Sequence, residues 1–177
     1  MEKKSEQCEA FEWLESIGFA LVFTLLILVF AVNFSRVSGH SMMPTLSDGD
    51  RVLVQTAFYT PKRGDIITTD ALIDYEKPLA KRIIALEGDV VDIDISTGDV
   101  SVNGIVLDEP YLFAPTTQQM DVTFPLTVPS GKAFIMGDNR PGSRDSRFQD
   151  IGCIDARDIL GRMIYRVSPV NTMGKIK

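Results

Sequence analysis

Histidine is almost absent: the 177 residues contain one, His40. A histidine-based metal site is thereby excluded, and a Ser-His-Asp arrangement would have to be built around that one ring. Cysteine is nearly as scarce. Cys8 and Cys153 supply neither a disulfide framework nor a Cys/His metal spacing. Basic blocks are missing as well. The formal net charge is −6, divided evenly between residues 1–15 and 36–177, which argues against a nucleic-acid partner. Internal repeats and low-complexity linkers are also lacking.

Charge itself is missing from one stretch. No ionisable residue lies between Glu15 and Arg36, and Ile17 to Val32 carries only Gly18 and Thr24 besides apolar side chains. Twenty helical residues rise roughly 30 Å, about the thickness of a bilayer's hydrocarbon core. A buried core helix of this length would ordinarily show a polar face. A cleavable signal peptide would have a shorter apolar region followed by a small-residue cleavage site. The expectation is a retained transmembrane helix over 16–35, preceded by a tail, 1–15, and followed by a domain, 36–177. That domain is long enough to bury a core of its own. Lys3 and Lys4 on one flank balance Arg36 and Arg51 on the other, so charge leaves the orientation open. Cys8 and Cys153 would then lie on opposite sides of the bilayer and could not pair within one chain.

Beyond Arg36 the pattern is of short strands. Runs rich in β-branched and apolar residues fall at Arg51–Thr56, Asp65–Thr69, Ala80–Leu86, Val90–Ile95, Val100–Val102, Ile105–Leu107, Ala133–Met136 and Leu160–Val167. Gly-Asp turns separate them, and Asn103-Gly104 is a strong two-residue hairpin signal. This spacing predicts a mainly β fold, a sandwich or open barrel, rather than alternating β/α units. Residues 109–130, with four prolines, read as a surface excursion.

The chemistry starts at Ser41, in Gly39-His40-Ser41-Met42-Met43-Pro44-Thr45-Leu46, six residues beyond the uncharged run. His40 is its immediate neighbour, and adjacent side chains of an extended chain point to opposite faces. His40 therefore cannot serve as the base for Ser41, and a lysine is the known alternative. Of the lysines beyond the span, Lys62, Lys77 and Lys132 lie at turns, and Lys175 and Lys177 are in the terminal tail. Lys81 alone sits in a strand-like apolar run, where burial would favour the neutral amine that a general base requires. Periodicity alone leaves open a lysine that snorkels from a strand edge. A third segment, Gly137 to Arg147, mixes turn formers with arginines and acids. By composition it is a solvated, charge-balanced loop; the alternative is a brace, with Asp138 and Asp145 pairing with Arg147 or Arg140 and a serine hydroxyl orienting a lysine amine.

Together these segments resemble the type I signal peptidases, the membrane-bound Ser-Lys peptidases of family S26. Ser41-Met42-Met43-Pro44-Thr45-Leu46 resembles that family's nucleophile box. Lys81-Arg82-Ile83-Ile84-Ala85-Leu86-Glu87-Gly88-Asp89 resembles its lysine box, and Gly137 to Arg147 its Gly-Asp-Asn-Arg box. Gly49-Asp50 with Val52, and Val102-Asn103-Gly104 leading to Asp108-Glu109-Pro110-Tyr111, fit too. The resemblance covers nearly the whole chain, and with one anchor and no large inserted domain it is to the short Gram-positive form.

The resemblance implies an all-β catalytic domain with Ser41 as nucleophile and Lys81 as base. Ser143 would orient the amine, while Asp138, Asp145 and Arg147 support the site. Met42 and Ala80 would border the substrate site, and the Ser41 N–H would donate to the oxyanion. Some members carry a serine as a second oxyanion donor two residues before the nucleophile, where this chain has Gly39. The implied substrates are secretory preproteins with small residues before the cut, and the chemistry calls for no metal or cofactor. The resemblance also implies a topology: residues 1–15 cytoplasmic, the domain on the outer face of the cell membrane. Two other classes stand beside this reading, a self-cleaving repressor-type Ser-Lys peptidase and a catalytically silent membrane scaffold. The anchor and the absence of a DNA-binding segment speak against the first, and the intact Ser41, Lys81 and Ser143 against the second.

Overall fold

The computed structural model describes residues 2–70 and 78–176, with side chains in the first helix described for 11–26, 29 and 31. Lys77, one of the turn lysines, and Lys177 lie outside the described residues. The side chains of Lys3, Lys4 and Cys8 do so too.

Helix α1 spans Glu2–Ala31, and β1, Val32–Arg36, follows it without a break. The uncharged run is therefore not a single element: residues 32–35, expected to complete a span, belong to the sheet. Two features end the helix there. The Ala31 carbonyl accepts hydrogen bonds from the Thr56 N–H, at 3.0 Å, and from the Ala57 N–H. Val32 to Arg36, with a β-branched and an aromatic residue, pair antiparallel with β2, Arg51–Gln55. Among the described residues no helix is long and apolar enough to cross a membrane; the side chains at 27, 28 and 30, within the apolar run, are not among them.

The strands continue as β3 (Ile66–Thr69), β4 (Ala80–Leu86), β5 (Val90–Asp94), β6 (Asp99–Val102), β7 (Ile105–Val106) and β8 (Leu126–Thr127). The last four are β9 (Lys132–Met136), β10 (Ile154–Asp155), β11 (Ile159–Ser168) and β12 (Gly174–Lys175). The fold is mainly β, as expected. Eight strands form one sheet in the order β1-β2-β11-β3-β4-β9-β10, with β12 on β11, and β7-β6-β5-β8 form a second. All the ladders are antiparallel. The predicted hairpin at Asn103-Gly104 joins β6 to β7, and Asn103 takes the positive φ, 54°, that this turn demands.

The 109–130 segment is more than the expected surface excursion. Its Leu126–Thr127 adds a strand to β5, and Thr116 and Val128 are fully buried. Prolines keep the segment out of the ladder interior without keeping it out of the core.

The small sheet covers one end of the large one. Val91, Ile93, Val100 and Val102 pack with Ile84, Phe134 and Met136, while Phe124 meets Phe134 edge-on at 5.8 Å between centroids. A second cluster joins Met42 and Leu46 to Val52, Val54, Ile66 and Met163, and a third lies around Ile67, Ile83 and Ile135. Strand β4 touches all three and is flanked by β3 and β9, so it runs buried from Lys81 to Ala85. Phe134→Ala should cost about 3–5 kcal/mol of stability, a cavity plus a lost aromatic pair. Denaturant unfolding of the purified protein measures it.

Candidate active site

Ser41 and Lys81 are 40 residues apart in sequence, yet Lys81 Nζ lies 2.8 Å from Ser41 Oγ. The serine is carried by an irregular turn. Gly39, at φ 89°, opens it and donates its N–H to Asp48 Oδ1 at 2.8 Å. Met42 and Leu46 anchor it in the core, and Leu46 N–H closes back on the Met42 carbonyl. His40 is exposed.

Lys81 comes from the opposite wall. Its residue is only 3 % exposed, and Nζ also donates to the Ala80 carbonyl at 3.1 Å. Burial pushes its pKa down to about 8, against the attraction of Asp145 and with further lowering by Arg147. A neutral amine uses one lone pair to accept the Ser41 hydroxyl proton and keeps N–H groups for neighbours.

The loop after β9 stands behind the pair. Asp145 is fully buried, chelated by Arg147 at 2.8 and 2.9 Å, and accepts the Gly137 N–H at 3.0 Å. Asp138 is held differently from the expected pairing with Arg147 or Arg140. Its partner is Arg82, bound through both oxygens at 2.9 and 2.7 Å, and it also accepts the Thr45 hydroxyl at 2.5 Å. Arg82 follows Lys81 in β4, which puts the guanidinium on the loop side, where it stacks on Tyr111 at 3.8 Å. Arg140 is taken instead by Glu109 and Thr116.

Ser143 Oγ is buried with no hydrogen-bond partner among the described residues. The bond from Ser143 to the Lys81 amine, implied by the resemblance, is therefore not formed here. Its hydroxyl sits against Gly137, where an added Cβ would lie 2.3 Å from Ser143 Oγ and 2.4 Å from the Ser41 carbonyl oxygen. Any side chain at 137 would wedge the loop from the serine. Met42 is buried beneath the site rather than on a cleft wall, whereas Ala80 lines a cleft of about 520 Å³ together with Ser38, Gly39, Ser41, Leu79 and Lys81.

Residues 10–168 match the family model for signal peptidase, peptidase S26. The chain belongs to that family. It is 38% identical over 175 residues to signal peptidase I of Bacillus licheniformis, covering 93% of this chain and 92% of the relative. Signal peptidase I S of Bacillus subtilis is 35% identical over 185 residues, 98% and 97% of the two chains. Among solved structures, a signal peptidase I from Enterococcus faecalis superposes with TM-score 0.51 and 31% identity, covering 60% of this chain and 99% of that one.

Ser41 and Lys81 carry a clear sequence signal; the groups that pair around them carry far less. Arg82 stands beside Lys81 in the lysine box, and its pairing with Asp138, 56 positions away, is a tertiary contact. Thr116 had no local signal, and Glu109, within the family-like stretch 108–111, had none for its pairing, because their partner Arg140 is more than 20 residues away.

The lowered Lys81 pKa also has a consequence for stability. The unfolded chain holds this proton up to about 10.5, the folded chain only to about 8. Between those values the unfolded state binds more protons, so stability rises with pH; below about 8 the buried charge costs the fold about 3 kcal/mol. Lys81→Met should therefore be more stable than the natural protein at pH 7, and the gap should close as pH rises toward 10.5. Urea unfolding at a series of pH values gives the readout.

Proposed function

We propose that the chain is a membrane-bound serine endopeptidase that removes N-terminal signal peptides from exported preproteins. The observation that carries this reading is the 2.8 Å approach of Lys81 Nζ to Ser41 Oγ inside a site that disfavours lysine's charge. Membership of the S26 signal peptidases supplies the substrate class.

The substrate lies extended in the cleft between the segment leading to Ser41 and the segment Pro78–Ala80, a strand added beside existing backbone. Ala80 leaves room for small residues before the cut, and Met42 sets the depth of that pocket from below. Neutral Lys81 takes the proton of the Ser41 hydroxyl as Oγ attacks the scissile carbonyl. The tetrahedral oxyanion receives the Ser41 N–H. The peptide C–N bond then breaks, Lys81 returns the proton to the departing amine, and an acyl-enzyme remains. Lys81 next takes a proton from water as that water attacks the ester; the acyl–Oγ bond breaks, and Lys81 returns the proton to Ser41 Oγ, restoring the neutral amine. Asp138, Asp145 and Arg147 hold the loop that backs the pair, and the orienting role that the family resemblance implies for Ser143 would require a bond to the Lys81 amine that is not formed here.

The apolar run within helix α1 anchors the enzyme, with residues 1–15 cytoplasmic and the β domain outside. What supports this is continuity at the helix end. The loop that binds the Ala31 carbonyl also bears Phe58, which is 99 % exposed. Phe34, likewise exposed, lies in the strand that follows α1. Exposed phenylalanines close to the end of the apolar run offer apolar surface that a bilayer would cover.

Ser41→Ala and Lys81→Ala should each abolish cleavage of a preprotein by the purified full-length enzyme while leaving its circular dichroism unchanged. Retained cleavage by either variant overturns the mechanism. In the natural enzyme, kcat/KM should climb with pH to a limb near 8, where Lys81 becomes the free base. A rate flat from pH 6 to 9 would count against Lys81 as that base.

A further inference from the structure

The loop after β9 does something for Ser41 that the acidic and basic braces do not. Asn139 reaches both peptide groups that flank the serine. Its backbone N–H donates to the Ser41 carbonyl at 3.0 Å, and its side-chain Nδ2 donates to the His40 carbonyl at 3.1 Å. The His40 carbonyl and the Ser41 N–H are the two ends of one planar trans peptide and point in opposite directions. Whatever pins the carbonyl therefore aims the N–H. The Met43 N–H donates to the same carbonyl at 3.2 Å, so both of its lone pairs are engaged. Hydrogen bonds accepted at that oxygen polarise the peptide and strengthen its N–H as a donor.

The Ser41 N–H carries an unusual load in this chain. Position 39 is glycine and has no hydroxyl to offer, and the Gly39 N–H is committed to Asp48 at 2.8 Å. The Ser41 N–H itself donates to no group among the described residues. We propose that Asn139 is a positioning residue that aims and polarises the Ser41 peptide N–H toward the oxyanion.

The backbone of Asn139 is held in turn. Asn139 forms a β-bridge with Ala114, and the Gly142 N–H donates to its carbonyl at 3.0 Å. A Cβ at Gly142 would lie 2.6 Å from Asn139 Nδ2 and 3.0 Å from its Cγ. The glycine leaves the space in which the amide sits, and filling that space would push the amide off the His40 carbonyl without altering Asn139. The inference rests on Ser41 being the nucleophile, and its test keeps the two apart.

The experiment compares Asn139→Ala and Gly142→Ala with the natural full-length enzyme in detergent, using a preprotein substrate. Each variant should lose about 10- to 100-fold in kcat, somewhat less than deletion of an oxyanion donor. KM should stay within about twofold, and the pH limb of kcat/KM should not move, because Lys81 is untouched. A peptide aldehyde, whose hemiacetal oxygen occupies the oxyanion position, should bind more weakly by the factor lost in kcat. An uncleavable substrate peptide should bind as before. Gly142→Ala secures the result should Asn139→Ala fold poorly, since it retains every Asn139 atom. Unchanged kcat and aldehyde affinity overturn the proposal, as does a loss that falls equally on the uncleavable peptide. Failure of the nucleophile reading looks different: Ser41→Ala would then still cleave.

Discussion

Everything around the site depends on keeping an amine out of water. A lysine on a surface strand would hold its proton at neutral pH and could not take one from a serine. Here Lys81 sits on a central strand with neighbours on both sides, and the cost of burying charge lowers its pKa toward 8. The fold accepts a destabilising group at its centre, and the surrounding structure offsets the cost with clusters of buried valine, isoleucine and phenylalanine above and below β4. That arrangement couples the mainly β architecture to the proposed chemistry: the strand that makes the core also makes the base.

A second constraint follows from the first. The loop backing Ser41 and Lys81 is rich in ionised groups, and ionised groups beside a buried amine must be paired internally or they would reset its titration. The structure pairs them in separate units: Arg82 with Asp138, Arg140 with Glu109, and Arg147 with Asp145, all with side chains at most 5 % exposed. Such buried pairs contribute little net stability, since desolvation offsets their attraction. Their value is directional. Each guanidinium ties the loop to a different element, β4, the 109–116 segment or the loop's own turn. Asn139 then delivers that rigidity to the peptide of Ser41.

Much of this was legible in the sequence because it is local. The strand runs were visible from β-branched periodicity, and the Gly-Asp and Asn-Gly turns marked their ends to within a residue or two. Lys81 stood out because it interrupts an apolar run, and Ser41 because its only histidine is misplaced. The helix end was misread for an equally physical reason. Apolar content does not distinguish a helix from a strand, and Val32 to Ser35 fit either. The pairing with β2 and the capture of the Ala31 carbonyl by Thr56 make the choice, and neither is a property of the segment itself. The 109–130 stretch was misjudged similarly, because prolines report on ladder hydrogen bonds and not on burial.

Composition and motifs were enough to narrow the chemistry: one histidine and no metal spacing pointed to a serine-lysine solution, and the boxes around Ser41, Lys81 and Gly137–Arg147 carried the family resemblance. Tertiary structure decided distances and partners. It set the 2.8 Å between Ser41 and Lys81, gave Asp138 to Arg82 rather than to its loop neighbours, left the Ser143 hydroxyl without a partner among the described residues and laid Asn139 across two peptides. The reason is one of range. Residue types and short spacings encode propensity and protonation chemistry locally, whereas a hydrogen bond between residues 40 or 99 positions apart exists only once strand order and register have brought them together.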